Sequence, residues 1–300
     1  MSIQPGTYKI GDVTVTKVSE LVLTGFTPAA LFPDWDPKIL EDQQGWLSPG
    51  SLDASREHAL MSVHTWVVRT PKHVILVDPG VGNGKPRPFT PMFDHLDIPF
   101  LARLKKAGVE PEAVDYVLMT HLHVDQVGWN TRLAGERWVP TFPNAKYVFS
   151  RIEREYFTNP ANHSDRNKTS FIIQRDSITP IIKAGLAEEI TINGGEFIDG
   201  LAFHPTPGHS VDHASISLTS RGEWALFAGD TLHHPIQVHR PEWNSIFDAA
   251  PEQARASRRW VLKFAAEHKA TVFTTHLPET SAGRVKPFND GFNWSFDQAS

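Results

Sequence analysis

The chain has 300 residues, of which 40% are hydrophobic and 21% charged, and its formal net charge is −5. This composition allows a large packed core and excludes an intrinsically disordered chain. The acidic balance disfavours nucleic acid as a partner, since no basic excess exists to neutralise a phosphate backbone. The absence of cysteine excludes disulfides, thiolate zinc sites and a cysteine nucleophile. Residues 1–12 lack a signal-peptide pattern and no apolar run is long enough for a membrane span, so we expect a cytoplasmic protein.

Apolar runs and alternating patterns predict strands throughout the chain, separated by helices. The predicted strands cover residues 8–10, 13–18, 61–69, 73–77, 116–119, 146–149, 189–192, 202–205, 214–218, 224–227 and 272–274. Helices are predicted over 100–106 and from 251 to about 268, the second with Arg258 on its polar face. Ser150 begins a further helix, with Glu153 completing a capping box. Because strands and helices recur in both halves, we predict an α/β fold with two face-to-face sheets and outer helices.

Residues 23–55 interrupt the strand pattern with several prolines and aromatic side chains. A long loop of this composition is expected to pack over a site or against another subunit. Phe26, Trp35 and Trp46 are candidates to wall an apolar pocket, and burial in a homodimer interface is equally consistent with the same rings. We expect a single domain over residues 1–300, with 23–55 as an excursion from it.

The strongest chemical signal is the H-x-H-x-D motif that directly follows the predicted strand 116–119. Its two imidazoles, His121 and His123, point the same way on an extended segment and can grip one cation. Asp125 adds a hard oxygen that suits zinc, iron or manganese. The motif therefore predicts a metal site where the chain leaves the sheet.

Three further ligand-type residues each follow a short apolar strand, and they are His209, Asp230 and His276. Taken singly, a polar residue at a strand end is usually a cap or turn residue. Several of them that converge with the H-x-H-x-D motif are better explained as ligands of a shared metal site.

Five short stretches together resemble the metallo-β-lactamase superfamily of hydrolases. They are LVDPG at 76–80, THLHVDQVG at 120–128, TPGHS at 206–210, FAGD at 227–230 and TH at 275–276. The resemblance implies an αββα sandwich with metals at one edge between the sheets. The GWN after the motif and the aromatic N-terminal region are most similar to the branch that holds acyl-homoserine lactonases and methyl parathion hydrolase.

The resemblance implies a metal-ligand role for the residues that match the family motif. By this resemblance, the first cation would bind to His121, His123 and His209. Asp230 would bridge the two cations. The second cation would bind to Asp125 and His276. Asp125 and Asp230 would thereby belong to the catalytic machinery. The implied cofactor is one or two Zn²⁺ ions, with Mn²⁺ or Fe²⁺ as alternatives.

Gln126 is a departure from the family, which places a histidine at this position. A carboxamide oxygen is neutral and a weaker donor than imidazole, especially for zinc. We therefore expect Gln126 to contribute a weak metal ligand, so that the second site binds less tightly, holds another metal or stays empty. The alternatives are a tuned dinuclear enzyme, a mononuclear enzyme and a non-catalytic homologue.

Two residues beside the predicted ligands have proposed supporting roles. The resemblance implies that Asp78 lies near the metals and shapes the ligand loops by hydrogen bonding. His233 follows Asp230 by three residues, where related lactonases carry a tyrosine that contacts the substrate, and an imidazole there is a candidate donor to a developing oxyanion. The alternative is an ordinary surface histidine of a turn. Four other histidines are expected to be packed or solvated: His64, His204, His213 and His239.

These observations predict a metal-dependent hydrolase in which a metal-bound hydroxide attacks a lactone or another carboxylic ester. No G-x-S-x-G elbow is present, so a serine hydrolase would lack its nucleophile. Phosphotriester or aryl-ester hydrolysis on the same scaffold and a non-catalytic metal-binding role are the rivals, and a nuclease is disfavoured by the acidic charge. We expect a small-molecule substrate and neither nucleic acid nor membrane as a partner, with a homodimer left open.

Overall fold

Two seven-stranded mixed sheets and a small two-stranded sheet organise the protein, in a computed structural model that describes residues 6–42, 50–165, 167–289 and 291–297. The strands of the described residues, in chain order, are β1 (Thr7–Ile10), β2 (Val13–Phe26), β3 (Ala59–Arg69), β4 (Val74–Val77), β5 (Tyr116–Leu118), β6 (Thr131–Ala134), β7 (Arg137–Pro140), β8 (Lys146–Ser150), β9 (Ala187–Ile190), β10 (Glu196–Ile198), β11 (Leu201–Pro205), β12 (Ala214–Ser220), β13 (Glu223–Phe227), β14 (Thr271–Phe273), β15 (Ala282–Phe288) and β16 (Gly291–Phe296). The first sheet has the order β1-β2-β3-β4-β5-β8-β9, the second runs from β10 to β16 in sequence order, and β6 pairs with β7.

The helices are mostly short. In the described residues they are α1 (Pro28–Leu31), α2 (Ile39–Asp42), α3 (Phe100–Lys106), α4 (Arg151–Thr158), α5 (Ser170–Ile173), α6 (Thr179–Lys183), α7 (Ile236–His239) and α8 (Pro251–Glu267). A π-helical turn, Gln174–Ile178, joins α5 to α6, and single 3₁₀ turns lie at Pro91–Phe93, Pro111–Ala113, Gly128–Asn130, Pro160–Asn162 and Gly229–Thr231. Among the described residues, no helix combines the length and apolarity that a membrane crossing requires.

The alternation of side chains along the strands builds the layers. Leu118 of β5 and Phe227 of β13 belong to one apolar cluster that draws on both large sheets. Val117 and Leu226, one residue earlier, belong to two other clusters, on the opposite faces of the sheets. Successive side chains of a strand point to opposite faces, so each sheet has one inner face and one face for helices.

The helices cover the outer faces of the two sheets. Phe100 and Leu104 of α3 lie in the cluster that contains Val117, whereas Val261 and Leu262 of α8 lie in the cluster that contains Leu226 and Val272. The order is therefore helix, sheet, sheet, helix. The predicted αββα sandwich is confirmed.

Parallel strands bring the chemical motifs to one edge of the sandwich. β4, β5 and β8 pair in parallel in the first sheet, and β13 pairs in parallel with β14 in the second. The motifs at 76–80, 120–128, 227–230 and 275–276 each lie at or just after the carboxyl end of one of these strands. Neighbouring parallel strands end at the same edge, so the polar residues that follow them are neighbours in space.

The segment 23–55 is more regular than the sequence predicts. β2 continues to Phe26 by pairing with β3, and α1 and α2 follow within the expected irregular region. Leu31 and Ile39 of these helices are buried in a cluster with residues of β3. Pairing and burial against the rest of the protein, which local pattern does not report, order this part of the segment. Trp46 lies outside the described residues.

Sequence patterns missed five strands and shifted one. The hairpin of β6 and β7, the strand β10 and the hairpin of β15 and β16 were not predicted, and β9 lies two residues earlier than expected. β6 exposes Arg132, Leu133 and Ala134 alike, so it lacks the alternation that marks a half-buried strand. β15 contains Gly283 and Pro287, which are poor strand residues.

Candidate metal centre

The loop after β5 carries the first group of candidate ligands. His121 Nε2 lies 3.0 Å from His123 Nδ1, which lies 2.9 Å from His209 Nε2. Asp230 Oδ2 is 3.3 Å from His209 Nε2 and 3.6 Å from His121 Nε2. Four ligands around one zinc ion at bonds of about 2.1 Å stand about 3.4 Å apart. The four predicted residues therefore converge with the spacing of a shared cation.

Burial keeps these imidazoles in the form that binds metal. His121 and His209 are 1% and 3% exposed, and burial lowers the pKa of both well below the usual range. A neutral imidazole keeps a lone pair for ligation, whereas an imidazolium has none.

Asp78 holds the motif loop through Thr120. The carboxylate of Asp78 accepts hydrogen bonds from Thr120 N at 2.8 Å and from Thr120 Oγ1 at 2.9 Å. Since the hydroxyl donates to Asp78, its oxygen accepts from His121 Nδ1, 3.0 Å away, and Nε2 is left with its lone pair. Burial raises the pKa of Asp78 to about 8, against the opposing effect of the bonds from Thr120. Asp78 thus hydrogen-bonds the ligand loop, as the sequence predicts.

Asp230 lies where β13 ends, between the predicted ligands. Its backbone N–H donates to His213 Nε2 at 2.9 Å. Gly229 before it has φ +55°, and a Cβ there would lie 2.4 Å from the same His213 atom, so only glycine fits this turn. Burial opposes ionisation of Asp230, but the imidazoles around it, His276 foremost, hold its pKa well below the usual range.

His276 and Asp125 lie on the other side of Asp230. His276 Nε2 is 3.0 Å from Asp230 Oδ2 and 3.4 Å from Asp125 Oδ2, while His276 Nδ1 is 3.0 Å from the carbonyl oxygen of Ser62. Nδ1 donates to Ser62, and although burial opposes protonation, the neighbouring Asp230 raises the pKa of His276 to about 9, so Nε2 must give up a proton before it ligates. Burial raises the pKa of Asp125 to about 6. The structure thus brings both residues beside the first group.

Gln126 contacts the central carboxylate through its amide. Gln126 Nε2 donates to Asp230 Oδ1 at 3.2 Å, and the side chain is fully buried. Its Oε1 has no hydrogen-bond partner among the described residues. A buried carboxamide with one unpaired polar atom lowers the stability of the fold unless another group pairs with that atom.

His233 is buried, and the interpretation as a surface histidine is wrong. It is 1% exposed, and its Nε2 lies 3.8 Å from Asp230 Oδ2. Burial lowers the pKa of His233 to about 3. The histidines without an assigned role include one that the site uses, since His213 positions Asp230. His64 is buried between Ser62 and Thr274.

Glu153 supports two ligand loops and does not form the predicted capping box. Ser150 does cap α4 by accepting from Glu153 N. The Glu153 carboxylate instead accepts from Leu122 N in the motif loop and from Asp212 N just after His209. Burial raises the pKa of Glu153 to about 7. The S-x-x-E pattern correctly predicted that Ser150 caps the helix, but the Glu153 side chain forms tertiary hydrogen bonds and does not return to the cap.

Asp248 and Arg258 form a second support that sequence analysis missed. Arg258, predicted on the polar face of α8, is fully buried, and its Nη2 donates to Asp248 Oδ2 at 2.9 Å. Asp248 Oδ1 lies 3.5 Å from His209 Nδ1, the atom opposite its candidate ligand nitrogen. A buried guanidinium on α8 thus holds a carboxylate against a candidate ligand. No local pattern marks Asp248.

A cavity of about 660 Å³ opens onto the candidate ligands. Leu23 and Phe26 from the N-terminal excursion line it with Met61, Phe93 and Phe157, and the site residues His123, Asp125, His209, Asp230, His233 and His276 line it as well. Phe26 therefore walls the pocket as predicted. Trp35 does not line it and packs edge-on against Trp243, with ring centroids 6.0 Å apart.

The donor chemistry fits divalent cations. Neutral imidazoles and carboxylates at this spacing are the ligands that zinc, iron and manganese take in proteins. Two imidazole-rich groups share Asp230, whose Oδ2 faces the imidazoles of both. The protein sequence profile of the Metallo-beta-lactamase superfamily matches residues 59–276, which include every candidate ligand. The chain belongs to the metallo-β-lactamase superfamily.

Relatives within the superfamily include named lactonases. The N-acyl homoserine lactonase AttM of Agrobacterium fabrum is 29% identical over 195 residues, which are 61% of this chain and 66% of that protein. An N-acyl homoserine lactonase from Bacillus sp is 25% identical over 181 residues, 60% of this chain and 62% of that protein. The matched region thus spans slightly less than two thirds of the length of these curated relatives.

Solved structures confirm the superfamily fold over the whole chain. The hydrolase AbOPH of the beta-lactamase superfamily has a TM-score of 0.82 and 26% identity, with all of both chains covered. The dizinc quorum-quenching lactonase AidC has a TM-score of 0.78 and 23% identity over 98% of this chain and 97% of its own. At 23% identity, the similarity to AidC shows a shared fold.

Proposed function

We propose that this protein is a metal-dependent hydrolase that opens a lactone or cleaves another carboxylic ester. The observation that carries the proposal is the convergence of His121, His123, His209 and Asp230, the last three of which line an apolar cavity. Relatives named as lactonases support the ester class in general.

The candidate ligands have distinct roles in the proposal. His121, His123 and His209 hold one cation, which we propose is zinc, with manganese or iron as alternatives. Asp230 holds that cation and a second one, to which Asp125 and His276 also contribute. Bound cations supply Lewis acidity, which polarises a carbonyl group and makes water a better nucleophile.

Asp125 is the residue best placed to move a proton. Its side chain is 13% exposed, lines the cavity and lies 3.4 Å from His276. Asp125 is proposed to accept a proton from the attacking water and to return it to the leaving alcohol. The ester bond then breaks without a covalent intermediate on the protein.

The cavity walls indicate an apolar acyl or aryl group on the substrate. Phe26, Phe93 and Phe157 offer ring surface, while Leu23 and Met61 offer aliphatic surface. Such a wall binds by excluding water from apolar area and gives little discrimination between chain lengths. We therefore expect hydrolysis of several lactones and esters, with a preference for long or aromatic groups.

The experiment measures metal content and hydrolysis on the same purified sample. The substrates are a series of acyl lactones, aryl esters and a phosphotriester, and the control is His121→Ala, in which one imidazole ligand is lost. Lactone or ester turnover that disappears with the metal in His121→Ala supports the proposal. A phosphotriester preference favours the rival hydrolase, and metal binding without any turnover favours the non-catalytic homologue.

We also propose a small molecule, and neither nucleic acid nor a membrane, as the partner of this site. The net charge of −5 disfavours binding to phosphate-rich surfaces. A homodimer stays a prediction, which light scattering on the eluted protein tests.

A further inference from the structure

Three groups of candidate ligands converge among the described residues: two that share Asp230, and a third made of His209, His233 and Asp248. Asp230 belongs both to the group with His121, His123 and His209 and to a second group with His233 and His276. In each group the ligand atoms lie within 4.8 Å of one another. The second group therefore contains an imidazole, His233, for which the motif pattern predicts no ligand role.

The spacing of the second group fits a cation. His276 Nε2 and His233 Nε2 lie 3.0 Å and 3.8 Å from Asp230 Oδ2, and these distances bracket the separation of about 3.4 Å between ligands of tetrahedral zinc. The ring centroids of His233 and His276 are 5.4 Å apart. That spacing is close to the 4.8 Å between the rings of His121 and His209 in the first group.

The ring of His233 has polar atoms that nothing in the described residues satisfies. Its Nδ1 and its Nε2 are both buried without a hydrogen-bond partner there. Leaving a buried polar atom unpaired costs roughly 1–3 kcal/mol, so such an atom calls for an explanation. A cation beside Asp230 would meet Nε2.

Gln126 approaches the same carboxylate from the other oxygen and as a donor. Its Nε2 contacts Asp230 Oδ1 at 3.2 Å, and an amide NH₂ group has no lone pair to offer a cation. This contact orients Asp230 so that Oδ2 faces the imidazoles of both groups, with His209 at 3.3 Å and His276 at 3.0 Å. Through Nε2, Gln126 is thus an orienting residue, while its Oε1 has no hydrogen-bond partner among the described residues.

We propose that Asp230, His233 and His276 hold the second cation, and that His233 supplies the imidazole that position 126 lacks in this chain. Asp125 lies within reach of the same site through its contact with His276. Gln126 then positions the shared carboxylate and does not ligate. The inference rests on the metal centre of the proposed function, and metal binding tests it without any substrate.

The experiment counts cations in variants of the two positions. The protein and its variants His233→Asn, His233→Phe and Gln126→His are loaded with Zn²⁺ or Co²⁺, freed of excess by gel filtration and analysed for metal per chain. We expect about two equivalents in the parent protein and about one in both His233 variants, because each loses an imidazole of the second group. The visible absorption of bound Co²⁺ should change with the lost nitrogen ligand. His233→Phe keeps ring volume beside Phe247, so it guards against a folding defect in His233→Asn.

A rescue and a matched control complete the test. The double variant Gln126→His with His233→Asn should regain the second equivalent, since an imidazole returns beside Asp230. His234→Asn removes the adjacent buried imidazole, which contacts the carbonyl oxygen of Ser51 and belongs to neither group, and should keep both equivalents.

Three results would overturn the inference. The first is two tightly bound equivalents in His233→Asn and His233→Phe, which would return His233 to the role of an oxyanion donor if turnover still fell. The second is one equivalent in the parent protein that rises to two with Gln126→His alone. The third is a double variant that stays at one equivalent. Metal counts as expected without hydrolysis of any ester would instead refute the proposed function and leave this inference standing.

Discussion

Side chains that bind no cation decide how the candidate ligands point. The hydroxyl of Thr120 links Asp78 to His121 and selects the tautomer of that ring. On the other sheet, His213 accepts from the backbone of Asp230. The hydrogen bonds that the candidate ligands make with neighbouring side chains therefore help to set how strongly the site binds a cation.

Thr120→Val tests this link. Valine has the shape of threonine but gives His121 Nδ1 no acceptor, so the ring loses its preferred tautomer. We expect the affinity of the first site for Zn²⁺ to fall about 10- to 100-fold, the usual range for such contacts, with the fold intact. Competition with a chromophoric chelator measures the change, and Thr120→Ser should stay near the parent value. Unchanged affinity in the valine variant would show that the hydroxyl does not matter.

One helix, α4, holds two ligand loops to each other. The first turn of α4 carries Glu153, whose carboxylate accepts from the loops of His121 and of His209. Burial of this carboxyl raises its pKa to about 7, above the 4.5 of an ordinary glutamate. Ionisation is thus less favourable in the folded protein than in the unfolded chain.

The sign of the resulting pH dependence follows from linkage. A raised folded pKa adds stability that is full below about pH 4.5 and is lost as the pH rises through about 7. We expect the free energy of unfolding of the parent protein to fall, relative to that of Glu153→Gln, by on the order of 1–3 kcal/mol between pH 5 and pH 8. Urea titrations of both metal-free proteins across this range measure the difference. Parallel pH profiles would contradict the buried ionisation.

The π-helical turn Gln174–Ile178 places a carboxylate between two buried cations. Asp176 lies 2.7 Å from Arg87 Nη1 and 3.5 Å from Lys85 Nζ, and all three side chains are at most 1% exposed. Lys85 also lies over the ring of Trp138 at 3.9 Å. Removing the shared carboxylate would leave the Arg87 guanidinium unpaired in a poorly solvated interior, beside Lys85, whose pKa burial already lowers to about 7.

Asp176→Asn is therefore expected to destabilise the protein by about 3–5 kcal/mol. The matched control is Glu267→Gln, which breaks the exposed pair with Lys263 on α8 and should change the unfolding free energy by under about 1 kcal/mol. Chemical denaturation of the metal-free proteins measures both. Similar small effects in the two variants would mean that the buried cluster contributes no more than a surface pair.

At the scale of the whole molecule, the candidate metal centre joins the two sheets. His121 follows β5 of the first sheet, whereas Asp230 and His276 follow β13 and β14 of the second. A cation bound by all three would link the sheets in the folded state alone. Ligands that bind only the folded state stabilise it by mass action.

Metal removal should lower the unfolding temperature. At a free cation concentration of about 100 times Kd, each site contributes about 2.7 kcal/mol, which corresponds to several degrees for a protein of this size. Thermal unfolding with and without a chelator measures the shift, and re-addition of Zn²⁺ should reverse it. In His123→Ala, which lacks a ligand of the first site, we expect a clearly smaller shift. An unchanged melting temperature on chelation would argue against a cation that joins the sheets.

Sequence alone determined the fold class and the positions of the candidate ligands. Short apolar strands followed within three residues by His121, Asp230 or His276 are local patterns, and the periodicity of helices such as Phe100–Lys106 is local too. The family motifs add their order along the chain. These features can be recognised in the sequence because each depends only on residues a few positions apart.

Only the tertiary structure decided which residues support the ligands. The supporting residues act on loops far away in sequence, and they are Asp248, Arg258 and Glu153. Arg258 was predicted on a polar helix face and Glu153 in a capping box, but both are buried against the ligand loops. The same holds for His233, which a local pattern places in an exposed turn and the fold buries beside Asp230. A buried polar group finds its hydrogen-bond partner among residues that the fold brings close, often from far away in sequence. The periodicity of a strand or helix does not show which distant residue that partner is.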